Sequence, residues 1–280
     1  MNMFLGEFIL SITNNETYKE KMTISKIKKA KHEKKLTVIT AYDALFAKLF
    51  EQDSDMILVG DSLNHSFAGA QDTLSATLDQ MIYHTKAVCA GAPNSFVICD
   101  MPFGTYTNEE KALESCVQVY AQTQAAAVKI EGGEERAHIV KHLTSNCIAV
   151  MGHIGLMPQY VRSEGGYKVR GKTPEDIEQL VRDAKAIEAA GAFCIVLEGV
   201  KTEAAKAITQ AVKIPIIGIG AGNVTDGQVL VWSDMLGFFE AFKPKFVRRY
   251  LNGGELIRQA VKQYKEDVES GLFPSKEEEY

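Results

Sequence analysis

Along this chain, polar and ionisable side chains recur where short apolar runs end. Met56–Gly60 runs into Gly60-Asp61-Ser62, and Phe96–Cys99 runs into Asp100-Met101-Pro102. Ala126–Ile130 carries Lys129-Ile130-Glu131-Gly132-Gly133, Ile148–Met151 leads into Gly152-His153, and Phe193–Leu197 ends at Glu198-Gly199. One such residue reads as a helix cap. Five successive runs ending this way point to a shared site, because parallel α/β folds gather active-site groups at the carboxyl ends of their strands. Asp61, Asp100 and Glu131 offer only oxygen donors, which suits a hard cation such as Mg²⁺ better than zinc and leaves coordination positions for a chelating substrate. The plain alternative is that one or two of these carboxylates pair with Lys129 as a buried ion pair and bind nothing.

Other motifs carry less. Gly218-Ile219-Gly220-Ala221-Gly222 has the look of a dinucleotide loop, but it lacks the third glycine at the required spacing and Asn223–Gly227 opens no helix. Close backbone approach at the mouth of the fold explains it better. His138 and His142 stand i,i+4, as helical metal ligands do, yet the stretch Glu134–Leu143 reads as a solvated amphipathic helix. Neither a G-x-S-x-G elbow nor a Walker loop occurs, so hydrolase and kinase templates find no support.

The elements that must position these groups follow from hydrophobic periodicity. Further apolar runs lie at Leu36–Thr40, Ile214–Ile219 and Val229–Trp232. All eight are near-continuous rather than alternating, as expected for parallel strands covered on both faces. The clearest helix is Pro174 to Ala190, with Thr173 at its N-cap, Pro174 in its first turn and Gly191 as its stop. Helical spacing also appears near 43–52, 78–90, 109–123, 202–211 and 255–269. Eight strands alternating mostly with helices predict a single-domain (β/α)8 TIM barrel over residues 19–280, after a loose N-terminal extension at 1–18. A doubly wound sheet is the main alternative.

Composition limits the partners. The 280 residues carry 31 Lys+Arg against 36 Asp+Glu, a net charge of −5, which argues against a dedicated nucleic-acid binder. The lysine-dense piece Lys19–Lys35 reads as a short amphipathic helix with Ile24, Ile27 and Ala30 inward and its lysines solvated. An arm on anionic partners is the competing reading, with a steep salt dependence as its mark. Cys89, Cys99, Cys116, Cys147 and Cys194 are odd in number and form no C-x-x-C pair, which predicts no disulfide framework and a cytoplasmic location. No membrane span is expected, and Phe4–Ile12, interrupted by Glu7, makes a poor signal peptide.

Taken together, Thr40-Ala41-Tyr42-Asp43, Leu58-Val59-Gly60-Asp61-Ser62-Leu63, Val128-Lys129-Ile130-Glu131-Gly132-Gly133, Gly152-His153-Ile154-Gly155-Leu156, Gly165-Gly166-Tyr167-Lys168-Val169 and Ile217–Gly222 resemble the ketopantoate hydroxymethyltransferase family. The likeness runs in order from about Thr23 to Pro274. It implies a Mg²⁺-dependent barrel, assembled as a homodecamer. It also implies transfer of a hydroxymethyl group from 5,10-methylenetetrahydrofolate to 3-methyl-2-oxobutanoate, giving ketopantoate through a Mg²⁺-stabilised enolate, the first committed step of pantothenate biosynthesis. Carried over by motif, Asp61, Asp100 and Glu131 are the metal-site carboxylates, Glu131 acting through water. Asp61, Ser62, Asp100, Lys129 and His153 contact the substrate, and Glu198 is the catalytic base. The chain departs from the family pattern at Asn64-His65, where Gly-Met is usual, at Gly199, where Cys is common, and at Trp232-Ser233-Asp234. Asn tolerates a left-handed backbone better than most residues, so the loop is expected to keep its shape at Asn64, and Gly199 is expected to loosen the strand end carrying Glu198. A lyase or mutase of pyruvate-like acids on a similar barrel is the nearest rival enzyme.

Overall fold

The apolar runs form the strands expected of them. In the computed structural model, which describes residues 20–31, 33–240 and 243–280, β1 (Leu36–Thr40), β2 (Met56–Val59), β3 (Phe96–Asp100), β4 (Ala127–Glu131), β5 (Val150–Gly155), β6 (Cys194–Glu198), β7 (Ile216–Ile219) and β8 (Gly227–Leu230) pair in sequence order and close on themselves. Every pairing is parallel, including β1 with β8. That closure decides between barrel and doubly wound sheet. The extension expected over residues 1–18 lies outside the described residues.

Three strands sit off their expected places, each for a local reason. β7 starts at Ile216 rather than Ile214, after Pro215, which has no N–H to pair. β5 continues past Met151 because Gly152 and His153 still pair with Ile195 and Val196. β8 starts early because Gly227 meets β1 at Leu36, where a Cβ would lie 2.5 Å from the Leu36 carbonyl oxygen. Trp232, expected to end that strand, instead begins a short helix.

The helices are α1 (Ile24–Ala30), α2 (Ala44–Phe50), α3 (Leu63–Ser66), α4 (Leu78–Gly91), α5 (Glu109–Gln122), α6 (Ala137–Ser145), α7 (Pro174–Ala189), α8 (Thr202–Ala211), α9 (Trp232–Met235) and α10 (Gly253–Ser270). Their starts obey capping chemistry. The Thr173 hydroxyl accepts the Asp176 N–H at 3.3 Å with Pro174 in the first turn, and Asp43, Thr77 and Asn108 cap α2, α4 and α5 alike.

Strand residues alternate between two apolar layers. Ile57, Val59, Val97, Cys99, Val128, Ile130, Ile195 and Leu197 face the helices. Met56, Leu58, Phe96, Ile98, Ala127, Met151, Cys194 and Val196 fill the barrel. The floor is closed by α1, whose Ile27 and Ala30 are buried, as the periodicity predicts. The expectation that its lysines are all solvated fails at Lys31, which reaches Asp226 at 2.7 Å with side-chain exposures of only 6% and 9%. Asp226 lies just before β8 and also accepts the Ile216 N–H of β7 at 2.9 Å. A lysine next to an apolar helix face was needed there to balance a carboxylate that stitches two strands together.

Candidate active site

The side-chain alternation that packs the barrel also builds its polar end. Starting from the interior residues Phe96 and Ile98, the next inward position of β3 is Asp100. The same count places Lys129 and Glu131 after Ala127 on β4, His153 after Met151 on β5, and Glu198 after Cys194 and Val196 on β6. Asp61 arrives differently, from the turn that follows β2. The register then sets Asp100 beside Lys129, Glu131 beside His153, and Gly155 beside Glu198.

These groups touch. Lys129 Nζ lies 2.8 Å from Asp100 Oδ1, 3.6 Å from Glu131 Oε1 and 3.1 Å from His153 Nδ1. His153 Nδ1 is 3.4 Å from Glu131 Oε1, and its Nε2 is 3.3 Å from Glu198 Oε2. The Asp61 N–H donates to Asp100 Oδ2 at 3.2 Å. Asp61, Asp100, Lys129, Glu131 and His153 are all at most 3% exposed, whereas the Glu198 side chain keeps 19% of its surface. Glu198 is therefore the member of the set that an arriving substrate meets.

Ser62 stands apart from this contact chain, its hydroxyl 2.7 Å from that of Tyr42. Both belong to the same barrel mouth, Tyr42 following β1 and Ser62 following Asp61. His138 is exposed on α6, away from the cluster. Gly220 and Gly222 take φ of +61° and +77° beyond β7, with no helix behind them, so the glycine run is a turn and not a nucleotide loop.

Burial sets the electrostatics. It pushes the Asp61 carboxyl well above the usual carboxylate range, and the charges of Asp100 and Glu131 push it further. Asp100 is also raised by burial, even against the adjacent Lys129 ammonium. Burial would discharge Lys129 as well, but the surrounding carboxylates override it and hold the ammonium. Burial and Lys129 act likewise on His153, yet Glu131 and Glu198 raise the imidazole to about 9. Glu131 alone among the three buried carboxylates is lowered: burial acts against its charge, and Lys129 and His153 outweigh it.

Burial opposes the charges of Asp61 and Asp100, and a bound dication would stabilise both as carboxylates. Asp100 Oδ1 is buried yet makes no aligned hydrogen bond, and the donors are all oxygen, so the cluster fits a hard cation. Among the described residues no three Asp, Glu, His or Cys side chains form a ready ligand set. Mg²⁺ needs none, being held typically by one or two carboxylates with water and substrate completing its shell.

Sequence reasoning passed over Gln159 and Tyr106, which are uncharged at neutral pH but buried against the cluster. The Gln159 amide donates to Asp61 Oδ2 at 2.9 Å, and its backbone N–H donates to Glu131 Oε2 at 3.0 Å. The only visible signal was Pro158-Gln159 after Gly155, in a turn where no titratable group drew notice. A cavity of about 240 Å³ lined by Phe103, Tyr106, Arg136, Gln159 and Tyr160 opens beside it.

The family departures read differently in three dimensions. Asn64 makes no use of that tolerance: it lies within α3, and its amide donates to Ser75 Oγ at 3.0 Å. Gly199 does take φ +58°, but it is held rather than loosened, its N–H donating to Ile219 O and its carbonyl accepting from Arg170, both at 2.9 Å. A close backbone approach fixes the same strand end from the other side. A Cβ on Gly155, at φ +98°, would lie 2.4 Å from the Glu198 carbonyl oxygen. Gly155→Ala is expected to lower activity at least about tenfold and to cost about 1–3 kcal/mol of stability through overpacking. Steady-state rates and urea unfolding of the variant check both effects.

Comparison with known proteins shows the family. A sequence profile of the ketopantoate hydroxymethyltransferase family matches residues 21–276. The chain belongs to that family. It is 76% identical over 261 residues to the 3-methyl-2-oxobutanoate hydroxymethyltransferase of Aliarcobacter butzleri, covering 93% of this chain and 97% of that one. The protein of the same name from Helicobacter pylori 26695 is 56% identical with the same coverage. The chain is accordingly an enzyme of the hydroxymethyltransferase class. Among solved structures, 2,3-dimethylmalate lyase, described as a PEP mutase/isocitrate lyase superfamily member, superposes with a TM-score of 0.61 at 17% identity, covering 88% of this chain and 89% of that one. Phosphonopyruvate hydrolase gives 0.59 at 15%, covering 92% and 93%. At such identities the likeness is one of fold.

Proposed function

We propose that this enzyme transfers a hydroxymethyl group from 5,10-methylenetetrahydrofolate to 3-methyl-2-oxobutanoate, giving ketopantoate, the first committed step of pantothenate biosynthesis. The observation that carries this reading is the buried cluster of Asp61, Asp100, Lys129 and Glu131 at the barrel mouth, with Glu198 at its open side. A 2-oxo acid presents a carboxylate and a keto oxygen to such a site and a weakly acidic C3–H to a neighbouring base.

Asp61 and Asp100 would hold Mg²⁺ directly. Both Glu131 oxygens face other partners, Oε2 the Gln159 N–H and Oε1 Lys129 and His153, which supports contact through water. When bound, the ion supplies Lewis-acid polarisation of the keto group, worth several kcal/mol. Lys129, fixed by Asp100 and Glu131, places a full positive charge where oxygen becomes anionic, and it does so without reorganising. Ser62 and His153 complete the substrate contacts. Glu198 takes the C3 proton, oriented by His153 Nε2 at 3.3 Å. The electron pair left on C3 then attacks the methylene carbon of the folate as one of its two C–N bonds opens; the second C–N bond breaks as water delivers its hydroxyl to that carbon and a proton to the nitrogen, releasing tetrahydrofolate.

Support for a homo-oligomer, a decamer in this reading, comes from α10. Its Ile257, Val261, Tyr264 and Val268 form an apolar stripe at helical spacing that is 46–61% exposed, and only Gly253 of the helix is buried. Five free cysteines, four of them buried, support a cytoplasmic location. No helix among the described residues is long and apolar enough to cross a membrane.

The deciding experiment is mass spectrometry of protein, 3-methyl-2-oxobutanoate, methylenetetrahydrofolate and Mg²⁺ beside an EDTA control. Ketopantoate is expected only in the metal-containing sample. Asp61→Asn and Asp100→Asn are expected to lower turnover about 100-fold or more, the rate equivalent of several kcal/mol, while near-UV circular dichroism stays native. Unconsumed methylenetetrahydrofolate with folded, metal-loaded protein would overturn the reading. Cleavage of a pyruvate-like acid would then favour the lyase chemistry that other barrels of this shape perform.

A further inference from the structure

We propose that Gln159 is a positioning residue that aims Asp61 and Glu131 at a bound cation, an inference that rests on reading the carboxylate cluster as a metal site. Gln159 is 4% exposed and sits in the one-turn helix Pro158–Tyr160 beyond β5. It spans the barrel mouth: Nε2 donates to Asp61 Oδ2 and to the Met101 carbonyl, both at 2.9 Å, while its N–H donates to Glu131 Oε2 at 3.0 Å. Groups from the carboxyl ends of β2, β3 and β4 thereby meet at one residue.

The amide sits only one way round. Nε2 faces two acceptors, and Oε1 accepts the hydroxyl of Tyr106, which is 5% exposed. Turning the amide over would set oxygen against a carboxylate and a carbonyl and leave the NH₂ on a hydroxyl. Tyr106 therefore locks the donor toward Asp61. A neutral donor suits this task for a physical reason. An ammonium in its place would orient the carboxylate but also compete with a cation for its charge. Gln159 fixes Oδ2 of Asp61 without adding a charge of its own and leaves Oδ1 for the ligand. Partners of metal-binding carboxylates typically change metal affinity by 10–100-fold when removed.

The test uses Mn²⁺ alone as probe, its free signal followed by electron paramagnetic resonance on the full chain without substrate. Gln159→Leu is expected to weaken Mn²⁺ binding by about 10–100-fold, and Tyr106→Phe by a smaller factor. The double variant should match Gln159→Leu, because the hydroxyl acts only through the amide. A residue that merely tied down the turn would lower the unfolding midpoint and leave Mn²⁺ affinity alone. Wild-type affinity in folded Gln159→Leu overturns the proposal, as does a double variant in which the two losses multiply. Should Gln159→Leu fail to fold, Tyr106→Phe decides, unchanged affinity counting against. Asp61→Asn run alongside separates the two levels: if wild type binds no Mn²⁺, or Asp61→Asn binds it equally well, the metal reading itself falls, and this proposal with it.

Discussion

Replacing Glu198 with Gln is expected to stop exchange of the C3 hydrogen of 3-methyl-2-oxobutanoate in deuterated water, slowing it by about 10²–10⁴-fold, the usual contribution of a positioned general base. The substitution keeps shape and volume but removes the proton acceptor. It leaves Asp61, Asp100 and Lys129 untouched, so the keto acid and metal should still bind, as isothermal titration would register. Glu198 is the one carboxylate of the set with a partly open face, 19% exposed against at most 3% for the others. Exchange at the wild-type rate would pass the base to His153, whose Nε2 lies 3.3 Å behind it.

The second large effect concerns stability as much as rate. Lys129→Met is expected to cost about 3–5 kcal/mol, because it strands Asp100 and Glu131 as buried charges without their ammonium. The contacts at 2.8 and 3.6 Å, and burial of every partner, leave water no access to compensate. Urea unfolding measures the loss. Adding Asp100→Asn to Lys129→Met should recover part of it, since one unpaired charge then disappears. A single variant as stable as wild type would show that the cluster does not depend on its lysine for charge balance.

Much of this arrangement could be read from the sequence, and the reasons are specific. The strands announced themselves as continuous apolar runs because both of their faces are buried, and Thr173 and Gly191 marked the ends of α7 through capping chemistry alone. Asp100, Lys129, Glu131, His153 and Glu198 were visible because charge at the end of an apolar run is costly unless used. The period of two, counted along each strand from inward residues such as Phe96, Ala127, Met151 or Cys194, would have placed all five of these groups, on four strands, inside the barrel without coordinates. Gln159 escaped because its importance lies in geometry: the partner of its amide is 98 residues away, and nothing local marks it. Lys31 escaped for the same reason, one of eight lysines in its segment, distinguished only by a carboxylate 195 residues downstream. At Asn64 the residue type's tolerance of a left-handed backbone says little, because its helical turn and the Ser75 hydroxyl decide its conformation.

The separation of Lys31 from Asp226 also bears on how the protein is made. At ribosomal speeds of about 5–20 residues per second, α1 waits roughly 10–40 s before the acid that receives it has been translated. Through that interval Ile27 and Ala30, both buried in the finished barrel, have no floor to close. The ion pair that ties α1 beneath the barrel can therefore form only after Asp226 has been made, so the floor is fastened late in synthesis.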